Sequence, residues 1–176
     1  MSARGLPAPL GAMPASQWVL RGGVLLLPVV AMVAALPQLP PGWLLALVVA
    51  SGLAWARAPE SSAGPVVLLV VVSWWGVAVE DPLGWRLLVA SGALLAAHVS
   101  ATLASYGPPV LAVDRDTWLL WLRRGLLSFL AAAVVWLAVG GLPVESAPPL
   151  LFPLALAAVG VGALAALVVL RPRPDG

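Results

Sequence analysis

Hydrophobic positions in this chain fall into six long blocks with little polar alternation inside any of them. The blocks run Trp18 to Leu36, Gly42 to Ala56, Pro65 to Val79, Leu83 to Tyr106, Trp118 to Gly141 and Pro149 to Leu170. A helix that crosses a hydrocarbon core about 30 Å thick needs about 20 mostly apolar residues. The punctuation between blocks is rich in proline and charge: Pro37, Pro40 and Pro41, then Arg57 to Gly64, then Glu80, Asp81 and Pro82, then Gly107 to Thr117, then Leu142 to Pro148. Proline lacks the backbone N–H and pushes its predecessor out of helical geometry, so these stretches end helices. The pattern predicts an all-α fold, a polytopic transmembrane helix bundle of six spans. Blocks 2 and 3 hold only about 15 residues, about 23 Å of helix rise. Four full spans plus a short hairpin is therefore the alternative.

Composition narrows the class. The chain has 176 residues, 62% hydrophobic and 9% charged, against about 25% charged in an ordinary soluble domain. Too few polar groups exist to cover a water-facing surface, and the bilayer is the expected partner. The net charge is +2, and the nine basic residues are all arginines scattered along the chain. Binding nucleic acid takes clustered basic groups that neutralise several phosphates, so no nucleic-acid partner is expected. Cysteine is absent, which removes disulfides, thiolate metal sites and cysteine nucleophiles. No glycine-rich phosphate loop is present, so no nucleotide, cofactor or metal is expected.

Arginine placement sets the expected orientation. If six blocks alternate across a bilayer, Arg4, Arg21, Arg57, Arg115, Arg123, Arg124, Arg171 and Arg173 fall on one side and Arg86 alone on the other. Cytoplasmic loops carry the excess of basic residues, so both termini are expected in the cytoplasm, with the chain in a bacterial inner (plasma) membrane. Residues 1–17 then read as a disordered cytoplasmic tail, 18–170 as the transmembrane domain and 171–176 as a short cytoplasmic tail. Trp18, Trp43, Trp85 and Trp118 stand at block edges, where an amphipathic indole favours the headgroup layer.

Candidate chemistry is sparse. His98 is the one ionisable side chain well inside a block, and intramembrane ionisable groups are functional suspects. At about 100° per residue, Ser91, His98, Thr102 and Ser105 share one face within about 60°, and Ser100 points the other way. This stripe is expected to face other helices. It reads either as a proton or ligand path, or as helix-joining hydrogen bonds worth about 0.6 kcal/mol each. Ser51, Ser73 and Ser128 supply hydroxyls, but no neighbouring motif marks a nucleophile, so enzymatic activity is not expected. Ala158, Gly162 and Ala166 form a small-residue ridge that admits close packing of another helix. At the start of the fifth block, Asp116 or Thr117 is placed to cap the first turn. Trp118, Trp121 and Leu122 are expected to face lipid, with Arg123 and Arg124 near headgroups as an interfacial anchor or lipid contact.

The run from His98 to Tyr106, the Pro108, Pro109 linker, the segment Asp114 to Trp118 and the Arg123, Arg124 pair together resemble small uncharacterised actinobacterial multi-span membrane proteins. The likeness covers about the central third of the chain and lies in layout. It brings no active residues with it, and it implies an accessory component of a larger membrane assembly. The expected function is accordingly an integral membrane subunit or scaffold that acts by helix packing, with a membrane protein or a second copy as partner. The alternative is a small-solute or ion transporter or channel with a polar path near the helix 4 stripe. An intramembrane enzyme, which would need polar groups converging on His98, comes third.

Overall fold

A computed structural model describes residues 13–35, 39–78, 84–106 and 110–140. Five α-helices account for nearly all of them: α1 (Ala15–Ala34), α2 (Gly42–Arg57), α3 (Ala63–Ala78), α4 (Trp85–Ser105) and α5 (Arg115–Gly140). The first five hydrophobic blocks thus each become a helix. Of these, α1, α4 and α5 are long and apolar enough to cross a membrane. At 16 residues each, α2 and α3 rise about 24 Å and fall short. Six full spans are therefore not supported. The sixth block, Pro149 to Leu170, lies outside the described residues together with its ridge of Ala158, Gly162 and Ala166, and so do residues 1–12 and 171–176.

Helix limits follow local chemistry. The first helix begins at Ala15, inside the segment read as a tail, because Pro14 accepts from the backbone N–H of Gln17 at 3.0 Å and opens the first turn. The polar pair Ser16, Gln17 had obscured this start, yet Gln17 is fully buried. Pro28 sits inside α1, which continues through it to Ala34. In α3, Pro65 takes the third position, where a missing N–H leaves no helical bond unmade. The α5 cap is also corrected. Asp114, not Asp116 or Thr117, accepts from the Thr117 backbone N–H at 3.1 Å, and Arg115 to Thr117 form the first turn. A carboxylate one residue before the helix reaches the third free donor, which Asp116, already inside the turn, does not.

The first four helices share one apolar interior. Val24, Ala31 and Met32 of α1 meet Leu44, Val48 and Trp55 of α2, Val67, Val71 and Trp75 of α3, and Ala90, Leu94, Ala97 and Ala101 of α4. The most extensive pairing joins α1 to α4 across the two intervening helices. Its basis is a ridge of small side chains, Ala90, Ala97, Ala101 and Ala104, spaced to lie on one face of α4. Such a ridge lets two backbones approach where lipid offers no hydrophobic drive. The two helices run antiparallel: Leu20 packs with Leu103, and a Cβ placed at Gly23 would stand 3.1 Å from Ser100 Oγ.

Antiparallel packing gathers the arginine-bearing ends. The Arg21 guanidinium on α1 reaches the last carbonyls of α2. The cluster of Leu20, Leu103 and Ala104 is covered by Trp118 and Trp121 near the start of α5. Arg21, Arg57 and Arg115 therefore share one end of the bundle, and Arg86 begins α4 at the other.

Candidate functional site

The polar stripe of α4 does form one face, and it is partly covered. His98 and Ser105 are exposed and Ser91 and Thr102 half-buried. Ser91 Oγ donates to the Leu88 carbonyl at 2.8 Å, Thr102 Oγ1 to the His98 carbonyl at 2.9 Å and Ser105 Oγ to the Thr102 carbonyl at 2.7 Å. The hydroxyls thus satisfy themselves within their own helix, and the imidazole has no hydrogen-bond partner among the described residues. Among the described residues the stripe is half covered: Ser91 and Thr102 are partly buried and His98 and Ser105 exposed. The alanine ridge, about 100° further round α4, makes the closer contact with α1. Ser100, read as pointing away from the stripe, lies against α1 at Gly23.

The cluster shared by the four helices is built of aliphatic side chains, alanine, Met32 and tryptophan, and among the described residues Gln17, near the start of α1, is the buried polar residue. Ser51 Oγ donates to the Leu47 carbonyl at 2.6 Å, the same backward bond within a turn. No three His, Asp or Glu side chains converge among the described residues.

A second feature lies between α4 and α5. Trp118 and Trp121 are half-buried, and Leu122 is 58% exposed. Their i, i+3, i+4 spacing puts them on the side of α5 turned to α4, where with Gly125, Leu126 and Phe129 they line an open-sided apolar cavity of about 350 Å³. The facing wall is Gly92, Leu95, Ala96, Val99, Ser100 and Leu103 of α4. Glycines hold the walls close. A Cβ at Gly92 would lie 2.8 Å from Phe129 Cε2, and one at Gly125 would lie 3.2 Å from Val99 Cγ2. None of the residues of α5 is itself fully buried.

Aromatic and cationic groups mark the end of this groove near the start of α5. Trp121 meets Tyr106 edge to face, with ring centroids 6.0 Å apart at 62°. On Trp121 rests the guanidinium of Arg124, its Cζ 5.4 Å from the ring centroid. Arg124 is half-buried and Arg123 exposed. Tyr106 was not distinguishable by spacing. The small-residue ridge of α4 was, since Ala90, Ala97, Ala101 and Ala104 recur at helical spacing just as the sixth block's ridge does.

Comparison with protein-family models, with curated proteins and with solved structures finds no match to this chain.

Proposed function

We propose that this chain is an integral subunit or scaffold of a larger assembly in a bacterial plasma membrane. It carries both ends on the cytoplasmic side and acts by presenting helix faces to a partner membrane protein or a second copy, without chemistry of its own. The observation that carries this reading is His98. It stands on the outer face of α4 about 10 Å from the helix end, exposed. An ionisable group at that depth avoids lipid and seeks another helix or a hydrated surface. The apolar interior of the bundle favours a packing role over a conduction path among the described helices. The gathering of Arg21, Arg57 and Arg115 at one end agrees with that end being cytoplasmic.

Copurification of the full chain in mild detergent tests the proposal, with wild type beside His98→Leu and a solute-flux assay on reconstituted vesicles. A stoichiometric partner retained by wild type and lost by His98→Leu supports the subunit reading. A lone monodisperse species whose flux falls in His98→Leu replaces it with transport.

A further inference from the structure

We propose that the α4–α5 groove is a binding site for one anionic phospholipid, an acyl chain lying between the helices and the headgroup phosphate held by Arg124 on the face of Trp121. The proposal rests on membrane residence but not on any protein partner.

Three features of the groove fit a lipid. From Trp118 to Phe129 it extends about 17 Å along α5, about the depth of one leaflet of a hydrocarbon core roughly 30 Å thick. Its volume of about 350 Å³ falls within the range of roughly 300–1,000 Å³ usual for small-ligand sites. Its walls are apolar apart from Ser100 and the indole N–H groups, and the cavity is open on one side.

The end near the start of α5 supplies the headgroup contact. Arg124 is half-buried, stacked on Trp121, and has no carboxylate partner among the described residues. A guanidinium held flat against an indole keeps its N–H fork free for a phosphate, which it matches in geometry. Tyr106, edge-on to the same indole, completes an aromatic cluster of the kind that settles at headgroup level. Two acids lie on this segment, and neither neutralises Arg124. Asp114 is engaged with the Thr117 N–H. Asp116 sits in the first turn, exposed, and makes no ion pair with Arg124, whose guanidinium lies on the Trp121 ring.

Native mass spectrometry of the full chain with added phosphatidylglycerol, and with phosphatidylcholine of the same acyl chains, reads the occupant directly. The expected result is one phosphatidylglycerol retained per chain in preference to phosphatidylcholine. Arg124→Gln lowers that preference about fivefold, as for one basic residue at an anionic surface. Arg123→Gln, which removes an exposed charge, leaves it within about twofold. Ala96→Trp, which fills the groove from α4, abolishes retention of either lipid. A photoactivatable acyl chain on phosphatidylglycerol should label wild type between Trp118 and Phe129, a readout that holds even where a variant fails to fold. Equal retention of the two lipids, labelling elsewhere on the chain, or a second copy of the chain bound without lipid overturns the proposal. Failure to enter bilayers at all would instead remove the membrane reading beneath it.

Discussion

Arg21 of α1 donates from its guanidinium to the backbone carbonyl of Arg57 at 3.1 Å, and to the neighbouring carbonyl of Ala56, at the end of α2. One arginine thus caps a helix that ends in another. The last carbonyls of a helix have no intrahelical donor and carry the negative end of its dipole, so a cation there is doubly favourable. The contact also fixes the geometry of the hairpin, since it requires α2 to run back along α1 to within about two turns of its start. Arg21→Gln should destabilise the folded chain by about 1.5–3 kcal/mol, the range for a hydrogen bond to a charged group. Arg21→Lys should recover only part, because an ammonium lacks the two-pronged donor. Unfolding titrations in mixed micelles measure both. Equal stability of all three proteins would show that the cap contributes nothing.

Trp55 and Gly64 define the turn between α2 and α3. Trp55 is 2% exposed, and a Cβ at Gly64 would lie 2.6 Å from its Cε2 and Nε1 atoms. Alanine in place of glycine within a helix ordinarily gains about 0.5–1 kcal/mol, but overpacking costs about 1–3, and a ring this buried has nowhere to move. Gly64→Ala should therefore lower stability. Gly22→Ala should not, since a Cβ there meets nothing within 4 Å. Opposite signs for the two variants in one thermal-denaturation series check this. If both stabilise, the ring is free to give way.

Gln17 is fully buried, and neither its amide nitrogen nor its oxygen has a partner among the described residues; the same holds for Ser16 Oγ. A buried amide without a hydrogen bond carries its desolvation cost uncompensated, about 1–3 kcal/mol. Gln17→Leu, similar in size, should raise stability by about that amount. A loss of stability on the same scale would mean that the amide is bonded.

Most of the helix content was legible because lipid removes the need for any subtler signal than length and proline. Gly42 to Ala56 became Gly42–Arg57, and Leu83 to Tyr106 became Trp85–Ser105. The choice of neighbours was less legible. Helices apolar on every side carry no stripe that separates a core face from a lipid face, so periodicity was silent on the pairing of α1 with α4. Only the alanine ridge from Ala90 to Ala104 encoded it. Angular geometry grouped Ser91, His98, Thr102 and Ser105 correctly on one face but had no means of telling which neighbour, if any, covers it. The stack of Arg124 on Trp121 at i and i+3 was open to inspection, whereas the approach of Tyr106 depends on how the linker brings α4 to α5.

Asp114 yields a pH dependence whose sign follows from its cap. Hydrogen bonding from the Thr117 side chain, and then from its backbone N–H, holds the carboxyl below the usual carboxylate value of 3.8. A group whose pKa is lower folded than unfolded stabilises the fold above its unfolded pKa and loses that contribution as pH falls through the folded one. The first turn of α5 should therefore be firm at neutral pH and loosen only below the ordinary carboxylate range. Hydrogen-exchange protection of the Thr117 amide, taken as a ratio to its intrinsic rate at each pH, reads this locally. Asp114→Asn keeps a good cap without a titrating group, so its protection should be flat across the acid range, and Asp114→Ala should expose the amide at every pH. An acid-dependent loss of protection that persists in Asp114→Asn would assign the effect to Asp116, the other carboxylate in that turn.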